Sequence, residues 1–229
     1  MRLITATLVK GIAFGLLVAS CGGALAAVAA EDAAPAKRVN FKRERASAHV
    51  RQMADWVLAS GDNGGLPFML VDKTDARVFL FHADGQLSGA APALLGLAVG
   101  DESVPGIGQR SLASIRPEER TTPAGRFVAN LDRDLQGKAL LWVDYDSSLS
   151  LHPVVTGKAE ERRAQRLATP TPLDNRISYG CINVPVNFFK RIISPAFKGT
   201  NGIVYVLPES RASRDQPKPI KGVDDDQWK

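Results

Sequence analysis

The chain of 229 residues holds two cysteines, Cys21 and Cys181, and three histidines, His49, His82 and His152. Thiol chemistry needs a thiolate, a base to make it, and donors for a developing oxyanion. Cys181 sits in the run Ser178-Tyr179-Gly180-Cys181-Ile182-Asn183. A glycine before the thiol lets the backbone turn sharply and brings N–H groups near a bound carbonyl, the usual material of an oxyanion hole. Ser178 and Tyr179 add hydroxyls close to Cys181. If the base is a histidine, it is one of the three. The alternative for a lone cysteine is a buried thiol acting as a small apolar side chain.

The first 30 residues explain why Cys181 stands alone. Arg2 and Lys10 supply positive charge, residues 11–30 carry none, and small residues recur in Ala24-Leu25-Ala26 and Ala27-Val28-Ala29. This is the layout of a cleaved secretory signal peptide over 1–30. Val18-Ala19-Ser20-Cys21 also resembles a lipobox, which would lipidate Cys21, and an uncleaved span is the third reading. All three place the body in the periplasm or cell envelope. After cleavage one thiol remains, unable to form an internal disulfide. The mature charge falls to about +3, mildly basic. No aromatic-and-basic stripe points to nucleic acid, and one thiol with three histidines makes no zinc pattern.

The elements that must position Cys181 read mainly as β. A linker is expected over 31–43 and one folded domain over 44–208. Residues 44–60 carry Val50, Met53, Ala54, Val57 and Leu58 at helical spacing. Phe68–Val71 and Arg77–Phe81 read as a hairpin around Asp72-Lys73-Thr74-Asp75. Further strands are expected at 94–99, 126–129, 140–143, 149–152 and 203–207. Many short strands between Gly, Pro and Asp predict a sandwich or barrel-like sheet. Helices are expected at 158–167 and, between Pro185 and Pro195, at 186–193. An insert spans 157–172, and 209–229 has the composition of a disordered tail. His82 falls in a turn and His49 on the expected helix surface.

The run around Cys181 resembles the catalytic box of the L,D-transpeptidases (the YkuD-type domain), which reads Ser/Thr-His-Gly-Cys-hydrophobic-Asn/Arg. Val71 to Phe81 looks like that family's opening hairpin, and Thr122-Pro123-Ala124-Gly125-Arg126-Phe127 like its Thr-Pro-x-Gly-x-Phe element. The resemblance covers roughly residues 66–208. It implies a YkuD-like mainly β fold, a mixed sheet with a few short helices, and no cofactor. It implies peptidoglycan stem peptides as partners and Cys181 as a nucleophile that forms a thioester at an L-centre. An amine of a second stem, that of diaminopimelate, then takes the acyl group. His152 would be the base, Gly180 and Cys181 would offer N–H groups to the oxyanion, and Ser178 and Asn183 would shape the loop. Arg176, just before the box, is a candidate for a stem carboxylate or a surface arginine.

Three departures mark this chain off. Tyr179 stands where the family has histidine, Pro153 follows His152 in place of glycine, and the gap from His152 to Ser178 is longer than usual. They suggest an altered donor or acceptor; an L-alanine-to-diaminopimelate link is one candidate. The insert 157–172 would then be a lid or a specificity element. Water as acceptor would make the same acyl-enzyme a hydrolase, a carboxypeptidase or amidase. A decayed box would leave a wall-binding module. Oligomeric state is not encoded in any of these motifs.

Overall fold

The hairpin of β1 (Phe68–Asp72) and β2 (Arg77–Phe81) is buried almost throughout. Its residues alternate between two cores. Met69, Val71, Val78 and Leu80 face one apolar cluster. Phe68, Leu70, Phe79 and Phe81 face another, shared with Val50, Met53, Ala54 and Val57 of α1 (Ala48–Ser60). A strand covered on both faces reads as a continuous apolar run. Ser47 caps α1 by accepting the Val50 N–H, and its hydroxyl donates to Asp72 at 2.7 Å. Gly61, at φ 68°, ends the helix.

The computed structural model describes residues 38–209. The expected signal segment 1–30, most of the linker and the tail beyond Glu209 lie outside the described residues. The sheet adds β3 (Leu87–Pro92), β5 (Gly125–Arg133), β6 (Ala139–Asp144), β7 (Leu149–Pro153), β9 (Ile182–Val184) and β10 (Gly202–Val206). Its eight strands run in the order β3-β2-β1-β10-β5-β6-β7-β9. The β1–β10 and β7–β9 pairs are parallel, the others antiparallel. A two-stranded sheet pairs β4 (Leu95–Gly96) with β8 (Arg176–Ser178). Leu94 and Asn183 exchange backbone hydrogen bonds of 2.8 and 2.9 Å, linking the chain after β3 to the far edge strand β9. The result is a mainly β, nearly closed mixed barrel with short helices, the fold class that the strand pattern predicts.

Several elements differ from expectation. The strand expected over 94–99 shrinks to β4, and β3, β8 and β9 appear without a clear sequence signal. β3 is Leu-Ser-Gly-Ala-Ala-Pro, poor in β-formers, and β8 and β9 have three residues each. Pairing partners select such strands, not propensity. The helix expected over 158–167 breaks at Arg162, φ 49°, into a 3₁₀ turn (Ala159–Glu161) and α2 (Arg163–Ala168). The one expected over 186–193 runs on through α3 (Val186–Phe188), a π turn (Phe189–Ile193) and α4 (Ser194–Ala196). Phe41, assigned to the linker, is only 3% exposed and packs edge-on against Phe79 and Phe81.

Lys73, expected in a polar turn, has a fully buried side chain. Its ammonium donates to Gly100 O at 2.6 Å, Asp101 Oδ1 at 2.8 Å and Thr122 O at 2.8 Å, and lies 3.4 Å from Glu209. Glu209, assigned to the tail, is also buried; it pairs with Arg176 and accepts the Gly100 N–H. A buried lysine is tolerated because every proton finds an oxygen and the charge is balanced. Removing it leaves Asp101 and Glu209 facing each other without their shared cation. Lys73→Met should lose about 3 kcal/mol of stability in urea denaturation, near the cost of breaking a buried ion pair. A loss under about 1 kcal/mol would show that the cluster is not the tie described.

Candidate active site around Cys181

Strand alternation builds the site. In the parallel β7–β9 pair Leu151 faces Ile182 and His152 faces Asn183 in register. Leu151 and Ile182 point into the core. With a period of two, Ser150, His152, Cys181 and Asn183 share the opposite face. Trp142 of β6 is in register with Ser150 and extends that face. Ser150 Oγ lies 3.4 Å from Cys181 Sγ, and Ser148 O lies 3.6 Å from it.

The cysteine loop is held from below. Gly180 has φ 135°, and a Cβ there would stand 2.8 Å from Thr121 O, so only glycine fits. The Thr122 hydroxyl donates to Gly180 O at 2.7 Å and accepts the Gly96 N–H at 2.8 Å. Ser178 Oγ donates to Cys181 O at 2.6 Å and accepts the Gly180 N–H at 3.1 Å. The Gly180 N–H is therefore engaged, which leaves the Cys181 N–H as the candidate oxyanion donor of the pair named from sequence.

His152 is oriented by its own strand end. Nδ1 lies 2.9 Å from Pro153 O, which can only accept, so Nδ1 carries a proton and, in the neutral ring, Nε2 holds the lone pair. Asn183 Nδ2 lies 3.4 Å from that Nε2. Burial pulls the His152 pKa down, but the hydrogen bond and charge of Cys181, with the Pro153 carbonyl, carry it above its ordinary value against the pull of Arg163. Burial pushes the Cys181 thiol up, but His152 and the Ser150 hydroxyl and N–H bring it below its ordinary value. The two shifts are one effect: each partner's charged form favours the other's.

Two cavities meet at Cys181. A groove of about 880 Å³ is lined by Trp142, Ser150, His152, Cys181 and Phe189, with Lys138 and Lys190 at its margin. A smaller pocket of about 140 Å³ runs between Cys181, Tyr179 and the segment 103–115. The chain over 103–119 holds three 3₁₀ turns, Ile107–Gln109, Leu112–Ser114 and Pro117–Glu119. Glu119 ties it together by accepting from Arg110 at 3.0 and 3.1 Å and from Arg116 at 3.2 Å, which holds its carboxyl down at about 2. Leu112 lines both cavities.

Of the residues named from sequence, Cys181, His152, Ser178, Gly180 and Asn183 come together. Tyr179 lines the small pocket with the Arg120 guanidinium 3.9 Å from its ring centroid. Arg176 lies elsewhere: it donates to Glu209 and to Lys73 O, and lines neither cavity. Its donors go to the Lys73 cluster, away from the two cavities that Cys181 lines. His82 is exposed. Ser150 was missed, although Leu149-Ser150-Leu151-His152 alternates and so already places it beside His152. The wall at 103–119 carries no such signal. Among the described residues no group of three or more His, Cys, Asp or Glu is placed to hold a metal ion. Nor is any helix among them long and apolar enough to cross a membrane.

Comparison with known proteins gives no matching family model and no matching curated sequence. Solved structures do match. The NMR structure of the catalytic domain of an E. faecium L,D-transpeptidase shares 18% identity over 62% of this chain and 98% of its own, at a TM-score of 0.39. The L,D-transpeptidase LdtMt1 in complex with imipenem shares 14% over 62% of this chain and 58% of its own, at 0.37. That of Xylanimonas cellulosilytica shares 13% over 62% and 61%, at 0.39.

The charge coupling has a measurable sign. Iodoacetamide alkylation of Cys181 should show a pH midpoint below the ordinary thiol value of about 8.5. His152→Ala removes the partner that lowers it while burial still raises it, so the midpoint should climb by about one unit or more. An unchanged midpoint would separate His152 from the thiol.

Proposed function

We propose that this protein is a cysteine acyltransferase of the L,D-transpeptidase kind, acting on peptidoglycan stem peptides in the cell envelope. The observation that carries the reading is the shared face of Ser150, His152, Cys181 and Asn183 opening into the groove, with the His152 lone pair set by Pro153 O. The motifs around Cys181, Thr122 and Val71 supply the substrate class, and the export pattern of residues 1–30 the compartment.

The chemistry follows from the geometry. The Cys181 thiol gives its proton to His152 Nε2, and the thiolate attacks the carbonyl carbon of an L-residue, forming the C–S bond. The oxyanion sits against the Cys181 N–H. Its collapse breaks the peptide C–N bond, and His152 returns the proton to the departing amine. A neutral amine of a second stem attacks the thioester and passes its proton to His152. The thiolate leaves as the new amide forms. The groove, of about 880 Å³, has two lysines in its lining that suit the carboxylates of an acidic stem.

Purified protein incubated with disaccharide-peptide monomers should yield dimers by mass spectrometry. Cys181→Ala should abolish them, and His152→Ala should slow them by about a hundredfold or more. Shortened monomers without dimers would assign hydrolysis instead. No product, together with no carbapenem adduct on Cys181 by intact mass, would leave a wall-binding module.

A further inference from the structure

The insert 157–172 reaches the active face through one side chain. Arg163, the first residue of α2, donates from Nη1 to Asn183 Oδ1 at 2.8 Å. Its side chain is largely covered and is itself held by Glu161 at 2.5 Å. A guanidinium can only donate, so the oxygen of the Asn183 carboxamide must face it. The amide nitrogen must then face the other way, toward Cys181 O at 3.3 Å and His152 Nε2 at 3.4 Å. Cys181 O can only accept, which demands the same orientation. Two independent partners thus fix a carboxamide that could otherwise flip.

This orientation acts on the base. Asn183 Nδ2 donates to His152 Nε2 only while that nitrogen holds a lone pair. Protonating Nε2 would set N–H against N–H and force Asn183 to let go. We infer that Arg163 is a positioning residue: through the Asn183 carboxamide it favours the neutral His152 ring with Nε2 as acceptor, against the pull of Cys181 toward the imidazolium, making the insert part of the proton-transfer machinery. The inference rests on His152 being the base of the function proposed above and assigns a role to a segment that the box does not contain. Arg163 touches neither the reacting sulfur nor a substrate atom. The charged groups facing His152 are Cys181 from the loop before β9 and Arg163 with its partner Glu161 from the insert. Asp134, Lys138 and Lys190 line the same groove.

The test needs no substrate, so it stands apart from the cross-linking assay. With three histidines in the chain, the His152 ring can be followed by NMR against pH. Arg163→Ala should raise its midpoint by about half a unit or more, because the orientation that disfavours the imidazolium is lost. In an Asn183→Ala background, or Asn183→Ser if that variant does not fold, the same change should shift the midpoint by less than half as much. Equal shifts in both backgrounds would mean that Arg163 acts by charge alone and would overturn the inference. So would no shift in the first background, with melting curves showing a folded protein.

Discussion

The two hydrogen bonds between Leu94 and Asn183 decide where the barrel closes, and the site forms at that closure. Strand β9 has only three residues, too few to hold an extended conformation without paired neighbours. It is held by β7 on one side and Leu94 on the other. Asn183 therefore does two jobs: its backbone closes the sheet, and its side chain sits between Arg163 and His152. A register slip of one residue in β9 would turn Cys181 and Asn183 into the core and Ile182 toward the groove. Burial of Ile182 and Val184 stabilises the correct register, and the direction of the Cys181 side chain follows from it.

Below the closure lies a polar stack that ties distant segments of chain together. Lys73 in the first hairpin holds Thr122 O, and the Thr122 hydroxyl holds Gly180 O and the Gly96 N–H. Arg176, on the strand before the cysteine loop, meets Glu209, which also meets Lys73. Each link satisfies a buried polar group that would otherwise cost free energy. The stack thus joins the opening hairpin, the Thr-Pro element and the cysteine loop. The three sequence motifs are parts of one hydrogen-bonded unit, which is a physical reason for their occurring together.

The mainly β class, the first hairpin, α1 and the apolar strands near 126–129, 140–143, 149–152 and 203–207 are legible as runs and periods. Cys181 and His152 are legible as residue types within motifs. What escaped is where tertiary contact outweighs local preference. β3 forms from Ser, Gly and Ala because β2 offers a paired edge. Lys73 is buried because four oxygen-bearing groups, those of Gly100, Asp101, Thr122 and Glu209, converge on its ammonium from far along the chain. Phe41 leaves the linker because the rings of Phe79 and Phe81 present it a site. Arg176 reads as a candidate ligand by its place near the box, yet β8 turns it toward Glu209.

The sequence by itself determined that one thiol stands in a glycine-turned loop, that a histidine ends a strand, and that the body is built of short strands. These are properties of residue type and local spacing. Only the tertiary structure decided that β7 and β9 lie parallel and in register, since parallel pairing joins residues 31 apart in sequence and leaves no local trace. That pairing brings Ser150 to the Cys181 thiol and Asn183 to His152. It also lets an arginine of the insert reach both through a single carboxamide.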